Sequence, residues 1–79
     1  MSASPVYEEI IDFLAAGLTP DSLIAFRPSE RAKQRVEDLI RREKLALLSS
    51  EETDELNHYM QLEHIMRLAK ARARRYQTK

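Results

Sequence analysis

The stretch Ser49-Ser-Glu-Glu-Thr-Asp-Glu-Leu56-Asn-His-Tyr-Met-Gln-Leu-Glu-His-Ile-Met-Arg-Leu-Ala-Lys-Ala-Arg-Ala-Arg-Arg-Tyr76 decides the fold of this chain. Ser49 and Glu52 stand at the cap and N3 spacing of a capping box, and nothing interrupts the helical pattern after them. The spacing predicts a helix over about 50–76, some 26 residues and about 39 Å long at 1.5 Å per residue. Its charges follow the helix dipole. Glu51, Glu52, Asp54 and Glu55 lie in the first turns, and Arg67, Lys70, Arg72, Arg74, Arg75 and Lys79 lie towards the end. Apolar positions 56, 59, 62, 66, 69 and 73 advance by three or four, a seam of coiled-coil type, and Met60, Ile65 and Leu68 broaden it. Two surfaces are implied, one to pack on the rest of the chain and one for a partner.

Working towards the N-terminus, Ser29 after Pro28 can cap a helix over about 29–47, with Ala32, Val36, Leu39 and Ile40 as its apolar row and Arg31, Lys33, Arg35, Arg41 and Arg42 around it. Residues 22–27, Ser-Leu-Ile-Ala-Phe-Arg, fit either a helical turn following Thr19 and Pro20 or a short strand, and the helical turn over 20–26 is favoured. A first helix is expected over about 5–16, capped by Ser4, with Pro5 in its first turn and Val6, Ile10, Phe13 and Leu14 facing inward. Gly17 ends it, because Gly takes the left-handed C-cap at no steric cost. The expected fold is therefore a single all-α domain, residues 1–79. It is a small bundle or hairpin of three helices with a short helical turn after the first and a long C-terminal helix.

The chain has 79 residues, 43% hydrophobic and 33% charged, with one Gly and no Cys. A domain of this length buries only about 60 to 65% of its unfolded surface, so its own core is thin. Small scaffolds compensate with disulfides, metals or partner subunits, and the absence of Cys removes the first together with thiolate zinc sites. A homodimer is the expected remedy. No apolar run exceeds four residues, and the N-terminal segment lacks a signal-peptide pattern, so a cytoplasmic protein with no membrane partner is expected. A single Gly leaves no glycine-rich phosphate loop, and no cofactor or small-molecule substrate is expected.

A net charge of zero conceals segregation. The balance over residues 1–26, 27–44, 45–66 and 67–79 runs −4, +3, −5 and +6. Such alternation suits antiparallel neighbours whose acidic and basic blocks meet, within one chain or across a dimer. The terminal bases Lys70, Arg72, Arg74 and Arg75 are candidates for contact with nucleic-acid phosphates or an acidic partner groove, against the simpler account of a solvated helix end with dipole-matched cations. A ribbon-helix-helix DNA reader is a further alternative, with residues 22–27 as its strand, but neither alternate set of side chains there is polar enough to read bases.

Little here points to catalysis, and the chain is expected not to be an enzyme. The Ser residues sit at helix caps, which already account for them, and no Ser, His and acid triad is legible. His58 and His64 are six apart and point about 120° from one another on one helix. Glu55 and His58 form an E-x-x-H pair, the spacing by which bundle helices present ligands to a di-metal centre; a dimer would supply two such pairs, with a further acid such as Glu37 or Glu9 from each chain. Chance accounts for such a pair in an acidic helix, so Glu55 and His58 are only a remote metal candidate. Arg27, at the junction of three segments, reads first as a bridge to local carboxylates, and Tyr59, Met60 and Met66 read most simply as packing.

The segments Leu23-Ile-Ala-Phe-Arg-Pro-Ser-Glu30, Ser49-Ser-Glu-Glu-Thr-Asp-Glu-Leu56 and Tyr59-Met-Gln-Leu-Glu-His-Ile-Met-Arg-Leu-Ala-Lys-Ala-Arg-Ala-Arg74 resemble a family of small, largely uncharacterised helical proteins of bacteria, frequent in cyanobacteria. The resemblance covers residues 6–76. It implies an antitoxin-like protein that binds and neutralises a partner, and it carries no catalytic residues. It directs attention to the Arg27 junction and the long helix, so Arg27, Tyr59, Met66 and Arg67 become the expected partner-binding set.

Overall fold

The structure, a computed structural model, describes residues 5–77. Four helices follow one another: α1 (Glu8–Ala15), α2 (Pro20–Ala25), α3 (Glu30–Lys44) and α4 (Ser50–Gln77). The fold is all-α, with no strand among the described residues. Residues 22–27 therefore do not form the strand that a ribbon-helix-helix reader needs. The side chain of Thr19 accepts the Ser22 amide at 3.0 Å, and the Ser22 hydroxyl accepts the Thr19 amide at 3.0 Å, so a reciprocal capping box commits this segment to helix.

Local sequence accounts for most of the boundaries. Ser29 Oγ accepts the Ala32 amide and opens α3. Ser49 and Glu52 form the capping box their spacing predicts, with both bonds at 3.1 Å. Gly17 has φ +100°, the left-handed region, and closes the first segment. Two ends differ from expectation. α1 starts at Glu8 instead of Pro5, because residues 5–7 form a turn in which the Glu8 amide donates to the Pro5 carbonyl. The predicted Ser4 cap lies outside the described residues. α3 stops at Lys44, short of Leu47, because Ala46 turns left-handed at φ 59°, and the Ala46 and Leu47 amides bond back to the Glu43 and Arg42 carbonyls. Those two bonds form a Schellman motif with Ala in the place Gly usually holds.

α4 is the spine. Its 28 residues span about 42 Å, close to the 48 Å long axis of the molecule. The radius of gyration is 14.3 Å, against about 12 Å for a compact chain of this length, so the other helices do not wrap the spine completely. α3 runs back along the N-terminal half of α4, and α2 lies against its C-terminal half, where Gln77 donates to Asp21 at 2.7 Å.

One hydrophobic cluster joins all four helices. Leu56, Tyr59, Met66 and Ala73 enter it from α4, at spacings of three, seven and seven, all four on the coiled-coil-type seam read from the sequence. Val36 and the fully buried Leu39 enter from α3, Leu23 from α2, and Ile10 from α1, with Val6 just before it. Each large aliphatic side chain buried here contributes about 1.5–3 kcal/mol. No polar side chain is buried among the described residues.

Candidate interaction surface

Two of the four acids in the first turns of α4, Glu52 and Glu55, are occupied by the chain itself. Arg42 grips Glu52 with two parallel bonds of 3.0 and 2.8 Å and also donates to Asp38. Arg35 grips Glu55 with bonds of 3.2 and 2.9 Å, and Glu55 Oε2 also accepts the Val6 amide at 2.9 Å. Paired forks of this kind are among the stronger ionic contacts of proteins. The guanidinium of Arg42, with the Ser49 amide, holds the Glu52 carboxyl down to about 2. Burial pushes Glu55 up, yet its bonds to Arg35 and to the Val6 amide outweigh that and leave it below the ordinary range. The alternation of charge blocks is thus satisfied in part within one chain, between α3 and the start of α4.

This clasp also engages Glu55, one of the two residues of the metal candidate. Both oxygens of Glu55 are engaged, and the His58 ring packs on Tyr7 with centroids 5.4 Å apart. Glu9, one of the further acids considered, accepts the Ser29 amide at 2.9 Å. No group of three His, Cys, Asp or Glu side chains converges among the described residues. A cleft of about 380 Å³ between α1 and α3 is lined by Glu9, Asp12, Arg31 and Arg35, and two of these four already hold other partners.

The residues expected to meet a partner divide sharply. Tyr59 and Met66 are only 7% and 5% exposed, so they belong to the chain's own core and present nothing outward. Burial, followed by the nearby Glu63 and Glu9 charges, pushes the Tyr59 hydroxyl above its ordinary value. Arg27 turns back on its own backbone, donating to the Ile24 and Phe26 carbonyls at 3.0 and 2.8 Å, and so closes the end of α2. It bridges carbonyls there, where the sequence suggested carboxylates. Lys70 reaches the same Phe26 carbonyl at 2.7 Å and stands 5.9 Å from the Phe26 ring centroid. Its pKa is lowered by burial first, then by the Arg27 and Arg74 charges. Arg67 is exposed and pairs with Glu63 at 2.7 Å.

The outward surface of α4 is carried by other residues. Ile65, Leu68 and Tyr76 are 55%, 59% and 66% exposed, and at about 100° per residue they lie within about 80° of one another on the side away from the core. Arg72 falls between them and Arg75 beside Leu68; both are exposed and form no ion pair among the described residues. The terminal bases are therefore split: Lys70 is drawn inward to α2, while Arg72 lies within an apolar stripe facing solvent and Arg75 lies beside it. Ile65 and Leu68 were legible as a broadening of the apolar seam, but nothing local distinguished them from Tyr59 and Met66. A second apolar exposure, Leu45 and Leu47 at the turn after α3, has no signal in the sequence beyond the run Leu45–Leu48 itself.

The class that the fold defines is a small all-α protein built on one long helix with an inner and an outer face. Compared with protein-family models, with curated proteins and with solved structures, the chain matches none. Among the described residues no helix is long and apolar enough to cross a membrane.

Proposed function

We propose that this chain is a non-enzymatic interaction module of the cytoplasm, antitoxin-like or regulatory, that binds a partner protein through the outer face of α4. One observation carries the reading: α4 has a second apolar stripe, Ile65, Leu68 and Tyr76, that none of the other described helices covers. Isolated exposed apolar side chains need no explanation, but a stripe along a helix flanked by cations is the form in which helices present anchors to grooves. The test is capture of a partner from host lysate by the wild-type chain and by Leu68→Asp. Capture should be lost from the variant while its helical circular-dichroism signal is unchanged, because Leu68 lies outside the core. Equal capture by both would refute the reading.

A second reading, nucleic-acid binding, is favoured by Arg72 and Arg75, which are exposed and form no ion pair among the described residues. It predicts that replacing both with Ala lowers the slope of log affinity against log salt by about two. An unchanged slope excludes it.

A further inference from the structure

On the outer face of α4, positions 51, 54, 58, 61, 65, 68, 72 and 75 advance alternately by three and four, and all eight are exposed. This is a complete second heptad seam, roughly opposite the one buried in the core. Its chemistry is ordered along the helix: acids at 51 and 54, polar side chains at 58 and 61, apolar at 65 and 68, and Arg at 72 and 75. None of Glu51, Asp54, Arg72 and Arg75 forms an ion pair among the described residues.

From this order we infer that the outer seam pairs with a second copy of the chain, antiparallel, about a two-fold axis beside residue 63. In that register Glu51 faces Arg75 of the second copy and Asp54 faces Arg72, and the two-fold repeats both pairs at the other end. Ile65 packs beside Gln61 and Leu68 beside His58, so the apolar side chains of both copies gather about the middle. The interface is isologous, as a two-fold dimer requires, because one patch supplies both halves of each charge pair. Parallel pairing would set Glu51 and Asp54 against themselves and Arg72 and Arg75 against themselves, which like-charge repulsion disfavours. An antiparallel slip of one heptad would set Ile65 against Leu68 but would take Arg72 and Arg75 away from the acids and leave them opposite Gln61 and His58. Charge therefore selects the register, and the apolar centre supplies burial. The inference rests on the reading of α4's outer face as a binding surface, and it names the occupant.

The experiment is light scattering and sedimentation of the full chain at high micromolar concentration. The wild type should be dimeric, and raised salt should weaken the dimer because its charge pairs lie at the rim. Asp54→Arg should weaken it about tenfold, since two attractive pairs become repulsive. Adding Arg72→Asp to that variant restores both pairs with reversed sign and should restore the dimer. A monomeric wild type, an Asp54→Arg variant that dimerises normally, or a double variant without rescue would each overturn the proposal. Its failure and that of the broader reading are separable. A monomeric wild type whose lysate partner is lost with Leu68→Asp sinks the second copy and leaves the partner reading standing. A rescued charge swap with partner capture intact in Leu68→Asp does the reverse.

Discussion

Ala46→Gly should stabilise this protein, although it removes a side chain and adds chain flexibility. Ala46 sits at φ 59°, in the left-handed region where a Cβ crowds the following carbonyl. The conformation is held there by two bonds of 2.9 Å, from the Ala46 amide to the Glu43 carbonyl and from the Leu47 amide to the Arg42 carbonyl, which together end α3 and aim the chain into the Ser49 cap. The left-handed conformation costs a residue with a side chain about 1–2 kcal/mol. Gly removes that cost but loses about 0.5–1 kcal/mol more backbone entropy on folding. The balance favours the variant by about 0.5–1 kcal/mol, or roughly 2–8 °C in Tm for a domain of this size. Urea unfolding followed by circular dichroism measures it, at one protein concentration for both proteins because association would raise apparent stability. The midpoint should rise with the slope unchanged. Gly17→Ala is the mirror control: its φ is +100°, and an added Cβ would meet nothing within 4 Å, so the whole loss there is backbone strain. A lower or unchanged midpoint for Ala46→Gly would refute the account of how α3 ends.

Two further predictions concern the clasp between α3 and α4. Glu55→Ala leaves Arg35 without its fork and the Val6 amide without its acceptor, so a loss of about 1–3 kcal/mol is expected in urea unfolding, with Glu55→Gln losing less because it keeps an acceptor for Val6. Equal stability of wild type and Glu55→Ala would show that the clasp contributes nothing. The second is pH dependence: Glu52 is held at about 2, below its ordinary 4.5, so between those values the unfolded chain binds more protons than the folded one. The clasp's contribution is therefore complete above 4.5 and is lost as pH falls through about 2; Glu55 and Glu9, also lowered, act in the same direction. Thermal melts across that window should show Tm falling with acid, and Arg42→Ala should flatten the fall. A Tm indifferent to pH there would contradict the geometry of the Arg42 fork.

The parts of this fold that were legible in the sequence are those fixed by neighbours within one turn. Ser29, the Ser49 and Glu52 pair, and Gly17 act on amides or dihedrals a few residues away, so their meaning travels with the local string. The end of α3 was not legible, because Ala is a strong helix former and only the bonds back to Arg42 and Glu43 make it a terminator. The roles of Arg35 and Arg42 were hidden for a similar reason. Along α3 they read as part of a solvated basic face, and the α4 carboxylates they grip, Glu55 and Glu52, lie 20 and 10 residues away respectively, across a turn.

By itself the sequence determined that the chain is helical, where three of its four helices open, and that its last helix is long, dipole-matched and apolar on more than one side. Hydrophobic periodicity can announce two stripes on α4, but it carries no information on which stripe the rest of the chain covers, since burial depends on what stands opposite. Only the tertiary structure decided that. The short α2, held at Lys70 and Gln77, and α3, held at Glu52 and Glu55, take the side bearing Tyr59 and Met66, and they leave Ile65 and Leu68 in water between the exposed acids Glu51 and Asp54 and the exposed Arg72 and Arg75.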